Sequence, residues 1–464
     1  MRPSSSSSEG GGPPPYPQGL VGPLFGSAAV DAVVSDGAWL CSMLEVEAAL
    51  AAAGAGAGVV PAAAAAEIAA ACRDARLDVD DIGRGALAAG NPVVPLVAAL
   101  EARLPAGARP HLHRGATSQD VVDSALMLVA RRALELIAAD LGAAGDRCAA
   151  LAEAHRDTPM AARTLLQQAL PTTFGLRAAG WMVAVDSARS GLERVRDQRL
   201  AVQLGGAAGT LASLGDAGLE VARRLAAELG LAEPLLPWHT DRVRVAELAA
   251  ALGTAAGALG KVALDVVLLA QTEVGEVGEA EGGSSTLPQK RNPVHAVLTG
   301  AAARRAPGLV ATLLAAMPQE LERAAGAWHA EWDSLRELLR VTGGAAAHGR
   351  AMLEALRVDP ARMRANLGAR GGMLMAESVA GRLAPALGRG AAHALVRDRV
   401  RSAEERGVGL REVLVNDPAV REHLSEEGID AALDPAAHLG PAGALVDRAL
   451  RAHRAGITAP EGGR

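Results

Sequence analysis

The segment GSSTLPQKRNPV, Gly283–Val294, places two serine hydroxyls and an ammonium within one short stretch. Lys290 is one of only two lysines; Lys261 is the other, in a chain with 46 basic residues. A serine hydroxyl is a poor base at its ordinary pKa. It can serve as one only where backbone N–H groups and a nearby cation stabilise its alkoxide enough for it to form. A compact ammonium can aim at one oxygen where a forked guanidinium would crowd it. The segment is not a phosphate-binding P-loop, because Gln289 and Arg291 flank the lysine where that motif needs Gly and Ser or Thr. Nor is QLGGAAGT, 203–210, a dinucleotide fingerprint, since no strand pattern precedes it and the glycine spacing differs. A plain Gly/Ser/Pro linker between helices accounts for the same local composition as a chemical loop does.

The elements that must carry such a loop are helices. Half of the 464 residues are hydrophobic, only 2% are aromatic, and Ala, Leu, Arg and Glu favour helix over strand. Val122, Leu126, Val129, Ala133 and Leu136 follow the 4-3-4-3 spacing of a bundle helix. Proline-free 119–156 begins a set of long helices, followed by 172–203, 240–280 and 293–316. Four or five such helices describe an elongated bundle. Shorter helices precede it (27–54, 61–76, 78–90 and 92–104) and follow Pro360. The reading is all-α, with a disordered tail over 1–18, an N-terminal helical domain over 19–112, a central bundle over 113–358 and a C-terminal helical domain over 359–464.

Within this scheme the third long helix stops at Gly282-Gly283, and Asn292-Pro293 opens the next with Asn as N-cap. Glu273, Glu276 and Glu279 then lie at i, i+3, i+6; a solvated helical face explains them more simply than a metal site. Trp328 and Trp332, at i and i+4, read as packing residues, and His111 as bland. A net charge of −6 and the lack of basic runs interleaved with aromatics argue against a nucleic-acid surface. The apolar run Ala48–Ala66 contains Pro61 and reads as two soluble helices joined by a Gly-rich turn, so no membrane span is expected. Cys41, Cys72 and Cys148 are odd in number and far apart, which fits a reducing, cytoplasmic setting.

GSSTLPQKRNP resembles the signature loop of the fumarase/aspartase superfamily, with Leu287 where Met is usual. HRGATSQDVVDSAL, 113–126, resembles the superfamily's first motif, and ARTLLQQALPTTFG, 162–175, its second. Order and spacing agree from about Leu24 to Arg454. The segments TSQD, TLLQQALPTTFG, QLGGAAGTLASLG and GAWHAEW are most similar to the 3-carboxy-cis,cis-muconate cycloisomerase branch, and the TSxDVVD pattern is shared with adenylosuccinate lyases. The resemblance implies a three-domain fold and a homotetramer whose active sites are each built by several chains.

It also implies the chemistry: addition or elimination beside a carboxylate, through a doubly charged enediolate. Ser284 matches the catalytic serine, and Lys290 the cation that would steady its alkoxide. Lys290, Arg291 and Asn292 also match positions that hold substrate carboxylate, and Ser285 is a further substrate-binding candidate. Thr117 and Ser118 would donate hydroxyls to another carboxylate, with Gln119 beside them. His113 would orient or polarise the substrate, Gln167 would contact it, and Arg323 is a further candidate beside a plain surface role. The implied substrate is a small tricarboxylate, and neither metal nor organic cofactor is implied.

Two positions depart from the pattern. Leu165 stands where the ammonia lyases, argininosuccinate lyase and adenylosuccinate lyase carry the histidine that serves a poor leaving group. Lactonisation needs no such acid, because its nucleophile, and the leaving group in reverse, is a carboxylate with a pKa of roughly 4. The implied activity is therefore cyclisation of 3-carboxy-cis,cis-muconate to carboxymuconolactone, in the protocatechuate branch of the β-ketoadipate pathway. An adenylosuccinate-lyase-like elimination enzyme and a non-catalytic homologue remain the alternatives. In PWHTDRVR, 237–244, Asp241 and Val243 replace the usual Gln and Asp. Asp241 either points away from substrate, pairs with Arg242 or Arg244, or marks an altered substrate.

Overall fold

A computed structural model of the chain describes residues 20–279, 287 and 290–456. The helices run in chain order α1 Gly22–Phe25, α2 Ala28–Val33, α3 Asp36–Gly56, α4 Ala62–Asp74, α5 Val79–Ala89, α6 Val93–Glu101 and α7 Ser118–Ala154. A hairpin follows, β1 Pro159–Thr164 and β2 Gln167–Thr173, then α8 Phe174–Gln198, α9 Gly218–Leu229 and α10 Val243–Leu269. Next come β3 Val277–Glu279, α11 Val294–Ala315, α12 Ala327–Ala355 and β4 Leu356–Val358, which pairs antiparallel with β3. Short helices close the chain: α13 Pro360–Gly368, α14 Ala376–Leu387, α15 Arg389–Arg406, α16 Leu410–Val415, α17 Pro418–Arg421, α18 Glu426–Leu433 and α19 Ala442–Arg454. The helical class is as the composition implies, and the fifth long helix is α12.

The described chain groups into two compact units. One takes residues up to 141 with 188–260 and 298–348; the other takes 142–187, 261–297 and 349 onward. The helices α7, α8, α10, α11 and α12 each contribute residues to both.

In the first unit the start of α7 is a core helix rather than a striped one. Every residue from Val121 to Ala130 is buried, Asp123 and Ser124 included. A helix buried all round has no wet face for its polar residues, so those two must find protein partners. Further along the same helix Leu136 is half-buried while Leu134 and Ile137 are buried, so the heptad stripe was too narrow a reading. Small residues bring α10 and α11 close: a Cβ at Gly253 would lie 2.8 Å from a Val310 methyl, and one at Gly260 2.7 Å from Ala303 Cβ. The break before Pro61 is as the turn signals imply, with α3 ending at Gly56 and α4 starting at Ala62. The single helix expected over 27–54 is instead divided into α2 and α3, where the Ser35 side chain caps α3 by accepting the Ala38 N–H. By length and composition alone α3 and α10 could cross a bilayer. Yet α3 packs Leu40, Met43, Val46 and Leu50 into the core of this unit.

In the second unit Val379, Leu383, Val396, Leu410, Leu414 and Ile429 form the core of the C-terminal helices. Two sequence readings fail here. The helix α10 stops at Leu269, not at Gly282, and Val277–Glu279 is a strand. The three glutamates are therefore not a solvated helical face: Glu273 is exposed, but Glu276 and Glu279 are buried. Each of those two carries a structural load described below. The second failure is the hairpin β1–β2, which falls mostly between the expected helices 119–156 and 172–203 and has no place in an all-α reading. Its second strand contains Pro171, which a two-stranded edge tolerates.

Candidate active site

The first unit carries His113, Thr117, Ser118, Gln119 and Arg323, and the carboxylate of Asp120 organises the backbone around Thr117. Thr117 precedes the first turn of α7. Its N–H donates to Asp120 Oδ2 at 2.9 Å, and the Asp120 N–H donates to the Thr117 carbonyl at 3.0 Å. This is the backward half of a capping box, with Asp at the third helical position. The carboxylate also accepts from Gly205 N–H at 3.0 Å and Gly206 N–H at 2.9 Å, and its Oδ1 lies 2.6 Å from His239 Nε2. Asp120 is thus saturated as an acceptor, so it is a scaffold, not a base. It ties QLGGAAGT to the start of α7. Gly206 requires its glycine there, with φ at 67° and its missing Cβ only 3.0 Å from the Gly115 carbonyl.

The half-buried hydroxyls of Thr117 and Ser118 accordingly sit at the amino end of a 37-residue helix, where partial positive charge favours a carboxylate. Gln119 does not join them. It is buried, and its amide nitrogen donates to Asp123 Oδ2 at 3.1 Å and to the His239 carbonyl at 2.8 Å. Arg323 donates to the carbonyl of Gly206, the residue Asp120 holds. Burial lowers the pKa of its guanidinium against the pull of Asp120 and Asp123. His113 adopts a left-handed backbone with φ at 55°, and its Nδ1 lies 2.6 Å from Oε1 of the buried Glu47. Burial works against its protonation, but the hydrogen bond to Glu47 and the charges of Glu47 and Asp120 outweigh it and raise the pKa.

Behind this group Arg242 is enclosed between two carboxylates. Its guanidinium meets Asp123 at 2.8 and 3.2 Å and Glu331 at 3.0 Å, all three side chains being 1% exposed. Trp328 Nε1 donates to Asp123 at 2.9 Å, and Trp328 stacks edge-on against Trp332 with centroids 4.7 Å apart. Arg242 therefore joins TSQDVVD, PWHTDRVR and GAWHAEW, and the two tryptophans pack as their spacing implies. Asp241 pairs with neither arginine; it is exposed and accepts the Val243 N–H at 3.2 Å at the start of α10.

The second unit carries the other motif residues. Gln167 is exposed and opens β2 opposite Thr164. The two residues between the strands, Leu165 and Leu166, have φ of 50° and 64°, the pattern of a type I′ turn that ordinarily takes Asn-Gly. Leu165 is 97% exposed and Leu166 70%. Arg163, opposite Gln168 in the pair before Thr164 and Gln167, clasps the buried Glu276 in two bonds of 2.9 and 2.7 Å, and Asn366 donates to the same carboxylate at 2.8 Å. Lys290 and Arg291 are exposed, and Asn292 is half-buried. Asn292 is not the N-cap of α11. That helix opens at Val294, and the carboxylate of Glu279 takes the N–H groups of His295 at 3.0 Å and Ala296 at 2.9 Å. Ser284 and Ser285 lie outside the described residues.

Sequence reasoning missed Glu47, His239, Arg242 with its two carboxylates, and Glu279. Glu47 is one of several acidic residues on α3 with nothing local to mark it, and Glu331 lies in GAWHAEW, where only the tryptophans drew notice. His239 and Arg242 sit in a segment already singled out, PWHTDRVR, and their burial was the missing fact. Among the described residues no group of three or more His, Cys, Asp or Glu side chains is placed to hold a metal ion.

The pattern of the family described as Lyase matches residues 31–308, and that of the adenylosuccinate lyase C-terminus matches 372–449. The chain belongs to the fumarase/aspartase superfamily. Among superfamily members it is 50% identical over 438 residues to the 3-carboxy-cis,cis-muconate cycloisomerase of Pseudomonas aeruginosa, covering 93% of this chain and 95% of that one. It is 48% identical over 451 residues to a nitrosuccinate lyase of Streptomyces davaonensis, covering 93% and 94%. The superfamily fold is also that of the 3-carboxy-cis,cis-muconate lactonizing enzyme of Pseudomonas putida, with a TM-score of 0.89 at 44% identity over 94% of this chain and 99% of that one.

Proposed function

We propose that the chain is a cycloisomerase that lactonises 3-carboxy-cis,cis-muconate. A carboxylate of the substrate adds to its own double bond, forming the ring C–O bond. The electron pair moves onto the carbon α to another carboxylate, giving an enediolate, and that carbon then takes a proton. Thr117 and Ser118, at the amino end of α7, hold one carboxylate, and Lys290, Arg291 and Asn292 hold another. His113 polarises the substrate. Ser284 delivers the proton, and Lys290 stabilises the alkoxide left behind. Gln167, Ser285 and Arg323 are substrate contacts, while Gln119, with its amide committed inside the core, acts as support.

The observation that carries this reading is Leu165. A hydrocarbon at an exposed hairpin tip replaces the proton carrier of the related amine- and hydroxide-expelling enzymes. Intramolecular attack by an anion dispenses with that group, and the enzyme's work becomes folding the substrate into an attack geometry. Similarity to the cycloisomerase of Pseudomonas aeruginosa supports the same substrate. A homotetramer with shared sites, a cytoplasmic setting and a division at 112/113 and 358/359 belong to the proposal.

The similarity to a nitrosuccinate lyase favours a second reading, since expulsion of nitrite from such a substrate also needs no acid. The test supplies the purified enzyme with 3-carboxymuconate, nitrosuccinate and adenylosuccinate in parallel, following loss of diene absorbance, release of nitrite and formation of fumarate. Diene loss alone supports lactonisation; nitrite release alone replaces it with elimination; inactivity toward all three returns the chain to a non-catalytic role. Ser284→Ala should lower kcat at least about 100-fold, the usual scale for losing a positioned proton-transfer group.

A further inference from the structure

Glu47, on α3, is a buried carboxylate to which the proposed mechanism gives no task. Its side chain is fully buried, Oε1 is 2.6 Å from His113 Nδ1, and Oε2 meets no hydrogen-bond donor among the described residues. An ionised carboxylate so placed is costly unless a cation faces it, and the imidazole is the group at hand. His113 accepts a left-handed backbone to present that edge of its ring, and a non-glycine residue held so is constrained by its surroundings. With Nδ1 committed to Glu47, Nε2 is the ring nitrogen left for a ligand.

We propose that Glu47 is a positioning residue that holds His113 as an imidazolium, so that His113 donates Nε2–H to charge building on the substrate and does not act as a base. The charges bearing on the ring are Glu47 from α3 and Asp120 from α7, both negative, and together they overcome the burial that would strip its proton. Asp120 cannot substitute for Glu47, since backbone N–H groups and His239 occupy its oxygens. The cation adds no net charge to the core, because it forms a neutral pair with Glu47. A donor already charged before the reaction strengthens its bond as the enediolate forms, which is where stabilisation raises kcat.

This inference rests on the lyase-type reading of the site, so its test has one arm independent of turnover. In protein labelled with 15N-histidine, the His113 titration is followed by NMR in wild type, Glu47→Gln and Glu47→Asp. Wild-type His113 should titrate above an ordinary histidine, Glu47→Gln should move it down, and Glu47→Asp should restore part of the difference. In the kinetic arm, Glu47→Gln should lose about 100-fold in kcat near neutral pH, the scale for one donor to a developing oxyanion, with KM changed far less. Its remaining activity should recover toward acid pH, where His113 regains its proton. An ordinary wild-type midpoint, or one unchanged in a folded Glu47→Gln protein, overturns the proposal whatever the substrate. Should Glu47→Gln fail to fold, the wild-type midpoint and Glu47→Asp decide. If the NMR shifts appear while no substrate turns over, the pairing stands and the lyase reading falls.

Discussion

Replacing Arg242 by Met removes a cation shared by Asp123 and Glu331, both 1% exposed. Removing one partner of a buried ion pair costs about 3–5 kcal/mol. Here two carboxylates lose the same partner, so a simple sum would double that. Two features hold it down. Asp123 keeps the Trp328 and Gln119 N–H donors, and Glu331 keeps Gln319 at 3.0 Å. Each carboxylate can also take up a proton, which from ordinary pKa values costs at most about 4 kcal/mol at pH 7. The expected loss is therefore about 5 kcal/mol at pH 7. It must shrink on acidification. Burial already raises the pKa of Glu331 in the intact protein, against Arg242, so without the arginine the folded state holds protons that the unfolded chain has shed. Stability of Arg242→Met then falls as pH rises from the ordinary carboxylate range toward 7, by up to about 1.4 kcal/mol per pH unit and per carboxylate. The assay is urea unfolding of wild type and variant at pH 5 and pH 7, with the triple variant Asp123→Asn/Arg242→Met/Glu331→Gln alongside. The triple variant should recover at least half the loss, since no charge is left buried alone. A loss under about 1 kcal/mol at pH 7, or a gap equally wide at pH 5, would refute the ion-pair argument.

Two other perturbations probe other parts of the chain. Asp31, buried on α2, has its pKa pushed up to about 6 by burial, with Arg340 opposing. The folded state thus binds the extra proton, and wild-type stability should fall by up to about 3 kcal/mol as pH rises from about 4 to about 6. Asp31→Asn should flatten that slope in unfolding measurements across the same window. At the hairpin tip, Leu165→Asn with Leu166→Gly relieves two left-handed leucines, each costing about 1–2 kcal/mol, and should raise the stability of the β1–β2 region. Hydrogen exchange at Met160, Ala161 and Thr172 would report it. Unchanged or faster exchange would show that the tip is not strained.

The sequence alone settled what depends on neighbours along the chain. Helix-forming composition, the Gly56–Pro61 break and the proline-free run after Thr117 set the helices. The two serines and Lys290 stand out by residue type alone, while His113, Thr117 and Ser118 as candidates, and Leu165 as a departure, came from the resemblance of the motifs to the superfamily. Tertiary structure decided everything that turns on burial. Asn292-Pro293 is a sound local cap signal, yet Glu279, from a strand earlier in the chain, takes the helix's N–H groups, because a charged acceptor bonds them more strongly than an amide. Glu276 looks like one tooth of an exposed acidic face and is instead enclosed by Arg163 and Asn366. The sequence also could not pair Glu47 with His113, 66 positions apart, or join Asp123, Arg242 and Glu331. A buried charge chooses its partner by distance in space and by the lack of water to compete, and neither is written into local pattern.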